Sequence, residues 1–139
     1  MVNYELLRQK VQFIEENIGK LEHLKTLPLE QFVSDYRNVE TSKHLLQVSI
    51  EAMTDIANHI VARNRWGIPA KSSDSLRILR EHQYITRQEE ELFATMVKFR
   101  NRVVHLYQKV DEEEVYRILG ENLGDFKLFI RAVVKNNFI

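Results

Sequence analysis

The 139-residue sequence predicts an all-α fold, an antiparallel up-and-down bundle of about five helices in one domain spanning residues 1–139. Three observations carry that prediction. Only 4 glycines and 2 prolines punctuate the chain, so long stretches run without a helix breaker. Apolar residues recur at spacings of three and four, which puts them on one side of a helix. No run alternates β-branched and polar residues between turn signals, as a half-buried strand would.

The first helix is expected from about Asn3 to Leu24, with Leu7, Val11, Ile14, Ile18 and Leu21 as its apolar stripe. Pro28 ends it or opens the next turn, because proline lacks the amide a continuing helix needs. A short helical piece comes next, near Leu29 to Val33. A second long helix covers Tyr36 to Arg63, burying Leu46, Ile50, Met53, Ala57 and Ile60, and at ~40 Å it is long enough to be the spine of the bundle. Trp66 to Ser73 contains Gly67 and Pro69 and reads as a link within the domain, with the serines or Asp74 available to cap the next helix. That third helix fits Asp74 to Tyr84, carrying Leu76, Ile78 and Leu79. Thr86-Arg87-Gln88-Glu89 is a capping box and starts a fourth helix that runs to Leu106 or Tyr107. Its stripe is Leu92, Met96, Phe99 and Val103, widened by Phe93 and Val104. Asp111 to Glu114 repeats the capping logic for a fifth helix reaching Lys135, with Leu119, Leu123, Phe126, Ile130 and Val133 inside. Gly120 and Gly124 weaken that helix locally or let a neighbour approach closely.

Composition narrows the chemistry. An apolar share of 44% and a charged share of 29% describe an ordinary globular protein rather than a disordered one. The absence of cysteine removes disulfides, thiolate metal sites and cysteine nucleophiles. No apolar run reaches the ~18 residues needed to span a bilayer, and no signal-peptide pattern opens the chain, so no membrane association and a cytoplasmic location are expected. The formal net charge is zero, but it is unevenly spread: residues 61–110 hold 10 basic and 5 acidic side chains, whereas residues 1–60 hold 6 and 9. That basic middle is compatible with a polyanionic partner and equally with the ordinary charge scatter of a solvated surface.

The chemically richest segment is Arg100-Asn101-Arg102-Val103-Val104-His105-Leu106-Tyr107. Asn101 and His105 are four apart and project from one helix face. Arg100 and His105 are five apart, about 140° around an ideal helix, so they converge only if the arginine wraps, the helix end loosens, or a second subunit contributes. An imidazole that titrates near neutrality, a permanent cation shaped to grip phosphate, and an orienting amide suffice for metal-free attack of a ribose 2′-hydroxyl on the adjacent phosphorus. One histidine cannot make both proton transfers at once, so a second histidine from a two-fold partner, or water, completes the cycle. Taken without further context, the same residues equally describe a surface cation at a helix C-terminus and a histidine capping its last carbonyls.

This Arg-x4-His-x-Tyr pattern resembles the signature of the HEPN ribonucleases, especially HepT-type toxins paired with a minimal nucleotidyltransferase antitoxin. Ile50 to Ile60 resembles that family's central helix, and Gly67-Ile68-Pro69 before an acid-capped helix resembles its connecting loop. The likeness spans roughly Val39 to Ile130. It implies a homodimer whose two motifs face a shared cleft, cleavage of tRNA or mRNA without metal or cofactor, and inhibition by a cognate nucleotidyltransferase that attaches AMP to Tyr107. The catalytic set it implies is Arg100, His105 and Asn101, with Arg102 as an RNA-binding or cleft residue. Asp55 is added as a cleft residue, from its place on the second long helix. The alternative of another class is a non-catalytic helical dimer that binds or regulates a nucleotidyltransferase; a third is an RNA binder without cleavage. Glu51, Asp55 and His59 form an i, i+4, i+8 ladder, but the Glu-x-x-His element of di-metal bundles is missing, and a polar stripe is expected instead of a metal site.

Overall fold

Capping side chains and breakers divide the chain into helices at positions that a computed structural model of the protein resolves for residues 1–105 and 109–138. In chain order they are α1 (Tyr4–Lys25), α2 (Leu29–Ser34), α3 (Tyr36–Arg63), α4 (Ser72–Glu81), α5 (Arg87–Val104), α6 (Glu112–Glu121) and α7 (Leu123–Asn137), with no strand among the described residues. Asn3 caps α1 through its side-chain oxygen, Pro28 opens α2, and Asp35 caps α3 at the Arg37 amide.

α3 is the spine, with α1, α2, α4, α5 and α6 packed around it and α7 closing the bundle against α1, α5 and α6. Leu7, Ile14, Ile18 and Leu21 of α1 meet Leu46, Ile50, Met53, Ile56 and Ile60 of α3 in one continuous core. A buried hydrogen bond from Asn17 Nδ2 to Ser49 Oγ, 3.1 Å, fixes the register of these two helices.

Four expectations are corrected. The single last helix is two, because the Asn122 backbone leaves the helical path and its side chain bonds Asp125 Oδ2 at 3.1 Å. Gly120 and Gly124 both face open space, so close approach is not their role. α4 begins at Ser72, two residues before Asp74, and Asp74 sits a turn inside, reaching back to the amides of Ala70 and Lys71 at 3.0 and 3.2 Å. The α5 stripe also rotates: Phe93 is fully buried edge-on against Phe129 (5.3 Å, 84°), Leu92 and Val103 are half-buried, and Val104 is 38% exposed. α5 is wedged against α3, α4 and α7 together, so a wider arc of it is covered than one neighbour would cover. No helix among the described residues is long and apolar enough to cross a membrane.

Candidate active site

α5 carries the motif, and its two ends are held differently. At the start, Thr86 and Glu89 form the reciprocal capping box: the Glu89 amide donates to Thr86 Oγ1 at 3.0 Å and the Thr86 amide to Glu89 Oε1 at 2.9 Å. Arg80 of α4 pairs with Glu90 at 2.6 Å beside it. With the first turns fixed by polar contacts and the middle by Phe93, the last turns of α5 lie along α3.

There Arg100 reaches Glu51. Its Nε and Nη2 both donate to Glu51 Oε2, at 2.9 and 2.6 Å, and Gln47 Nε2 donates to the same oxygen at 3.2 Å. Nη1 donates to Asn101 Oδ1 at 3.2 Å, so three of the five guanidinium N–H groups are engaged and two have no partner among the described residues. Partial burial pushes the Glu51 carboxyl up, but the Arg100 and Gln47 hydrogen bonds and the charges of Arg100 and His44 outweigh it and hold it below the usual range. The arginine is therefore clamped in one orientation by a carboxylate whose charged form the pair favours.

Arg100, Asn101, Glu51, Thr54, Asp55 and Asn58 line an open, mainly polar groove of about 480 Å³ between α3 and α5, near the start of α4. Asp55 is tied to Lys10 of α1 at 3.1 Å. His59, one turn further along α3, accepts the Asn3 amide on Nε2 at 3.0 Å. The three members of the acid–histidine ladder thus have three different partners. Burial, then the positive charges of Arg63 and the N-terminus, lower the His59 pKa and suit it to that acceptor role.

His105 is the first residue past α5. Its backbone is extended (φ −85°, ψ 120°), its amide donates to the Asn101 carbonyl at 3.2 Å, and its side chain is exposed. The loosened helix end is one of the three routes by which a histidine five positions on can turn toward Arg100. His105 itself does not line the groove. Tyr107 lies outside the described residues. Arg102 lines another groove, on the α5 side that faces α6. Its Nη1 and Nη2 grip both oxygens of Glu114 at 2.6 and 2.8 Å, and Nη2 also donates to the Lys109 carbonyl at 3.3 Å. Glu114 therefore does not complete a capping box with Asp111, whose side chain instead caps the Glu113 amide at 2.9 Å. Arg100, Asn101 and Asp55 are brought together, His105 stands at the adjoining helix end, and Arg102 is turned elsewhere.

The residues missed from the sequence are the acidic partners, Glu51 for Arg100 and Glu114 for Arg102. Glu51 was visible only as a rung of a ladder on its own helix; nothing in local spacing links it to an arginine 49 positions away.

Residues 14–133 match the ribonuclease HepT-like family. The mRNA nuclease HepT of Shewanella oneidensis is 35% identical over 103 residues, covering 74% of this chain and 77% of that protein. The tRNA nuclease HepT of Aphanizomenon flos-aquae is 23% identical over 135 residues, covering 96% and 92%. Among solved structures, a tri-AMPylated HEPN toxin of Shewanella oneidensis in complex with its MNT antitoxin superposes with a TM-score of 0.87 at 30% identity, covering 94% of this chain and 97% of that one.

Proposed function

Because the chain belongs to the ribonuclease HepT-like family, we infer that it is an RNA endonuclease, the toxin of a toxin–antitoxin pair whose other half is an MNT nucleotidyltransferase. The observation that carries the site assignment is Arg100, held in a polar groove by Glu51 and Asn101 with two donors unengaged among the described residues, five positions before an exposed His105.

In this reading RNA enters the groove and the free edge of Arg100 takes the non-bridging oxygens of the scissile phosphate, stabilising the charge that builds on them. His105 takes the proton from the 2′-hydroxyl as the new O–P bond forms. The bond to the 5′-oxygen breaks, and that oxygen receives its proton from the partner's His105 or from water. The products are a 2′,3′-cyclic phosphate and a 5′-hydroxyl, and no step needs a divalent ion or cofactor. Asn101 orients Arg100. Asp55 is a cleft residue and not a phosphate contact, because its carboxylate repels the RNA backbone. A homodimer pairs two such sites across a two-fold axis, which supplies the second histidine. The cognate nucleotidyltransferase silences the enzyme by binding it and by attaching AMP to Tyr107. The pair works in the cytoplasm, where its RNA is made and translated.

Induced expression tests this. Wild-type protein is expected to arrest growth, and His105→Ala to abolish the arrest while remaining folded and of unchanged oligomeric state. Equal toxicity from both would remove His105 from the chemistry. A folded wild type that neither arrests growth nor cuts RNA would favour a regulatory partner of the nucleotidyltransferase. RNA bound in a salt-sensitive way but left intact would favour a binder.

A further inference from the structure

The imidazole of His105 is exposed and makes no hydrogen bond among the described residues. His105 lies just outside the helix with an extended backbone, so the placement of the chain on either side of it decides where the imidazole sits. The hydrogen bond from its backbone amide to the Asn101 carbonyl holds one side of that exit from α5.

Arg102 holds the other. Its guanidinium makes a two-pronged ion pair with Glu114, at the first turn of α6, and a bond to the carbonyl of Lys109 on the way there. The fork is matched to the carboxylate, a geometry that lysine cannot reproduce. One side chain of the last turn of α5 thereby ties down both Lys109 and the first turn of α6. Val110, packed against the core, and Asp111, capping α6, continue the same anchorage.

We propose that Arg102 and Glu114 form a positioning pair that sets the exit of the chain at His105, and that Arg102 serves catalysis in this way rather than by contacting RNA. This rests on the assignment of His105 as the proton-transfer group. The opposed shifts of the two partners agree with it: the hydrogen bond from Arg102, with partial burial working against it, leaves the Glu114 carboxyl lowered, and the bond to Glu114 raises Arg102. With side-chain exposures of 38% and 22%, the pair contributes little to global stability, so its loss should be read in turnover and not in unfolding.

The decisive variant is Glu114→Gln, which leaves every cation in place. Steady-state cleavage of a defined RNA is expected to show kcat reduced about 10- to 100-fold with KM unchanged, since a misplacement of about 1 Å costs rates of that order. Arg102→Lys, which keeps the charge and loses the fork, should behave the same way. The swap Arg102→Glu with Glu114→Arg should recover kcat relative to either single charge reversal. If Arg102 instead contacts phosphate, Glu114→Gln leaves kcat intact or tightens RNA binding, and Arg102→Ala raises KM while lowering the salt dependence of binding by about one charge. That pattern, or a folded swap that recovers nothing, overturns the proposal. His105→Ala in the same assay separates the two readings: if it cuts at the wild-type rate, the active-site assignment fails whatever the Glu114 variant does.

Discussion

Arg100 and Arg102 are two residues apart, equally charged, and do different work because of what faces them. Glu51 takes one edge of Arg100, which lines an open groove with two donors unengaged among the described residues; Glu114 takes the fork of Arg102 and leaves it as a tie between helices. An ammonium in place of the Arg100 guanidinium cannot serve Glu51, Asn101 and a phosphate together, so Arg100→Lys is expected to lose cleavage nearly as fully as Arg100→Ala, by about 100-fold or more, in a single-turnover assay. A lysine variant at the wild-type rate would show that only charge matters there. The residue types and the motif were legible in the sequence. Their partners were not, because Glu51 and Glu114 are brought to the arginines by helix packing and not by local spacing.

Helices were legible where caps and periodicity agree. The ends of α3 at Tyr36 and Arg63 are set by its capping aspartate and by the Asn64–Arg65 turn, where Arg65 takes a φ of 57° and the Trp66 amide donates back to the Val61 carbonyl at 3.0 Å. The break at Asn122 was hidden because α6 and α7 carry apolar residues in continuous helical register, and the interruption depends on a local Asn122 to Asp125 contact that periodicity does not encode. At the other end of the molecule, the start of α1 is pinned to α3 by His59 accepting the Asn3 amide, which only the neutral ring can do. Its folded pKa is lowered, so the unfolded chain binds the extra proton, and stability is lost as pH falls below the ordinary value of 6.5. Thermal melts between pH 8 and 5 should show a drop below about 6.5 that His59→Gln flattens. Identical profiles for both proteins would place the acid sensitivity elsewhere. Glu51 acts at lower pH: its depressed pKa contributes stability above 4.5 that disappears as pH falls through the folded value.

At the scale of the whole molecule, a bundle around one long helix exposes an arginine groove on one side of α5 and braces the exit of the same helix on the other. The all-α class and the family were readable in the sequence, since few breakers, long stripes and an eight-residue motif each speak locally. Among the described residues no second histidine lines the groove beside His105, and the proposed dimer answers that chemical need. The mechanism is tested most directly by the ends of its products. Purified protein should cut RNA in EDTA, leave 2′,3′-cyclic phosphate and 5′-hydroxyl ends, and spare a substrate with a deoxyribose at the scissile position, with Arg100→Ala and His105→Ala inactive. A requirement for a divalent ion, 5′-phosphate ends, or cutting of the deoxy substrate would contradict a 2′-hydroxyl attack carried by Arg100 and His105.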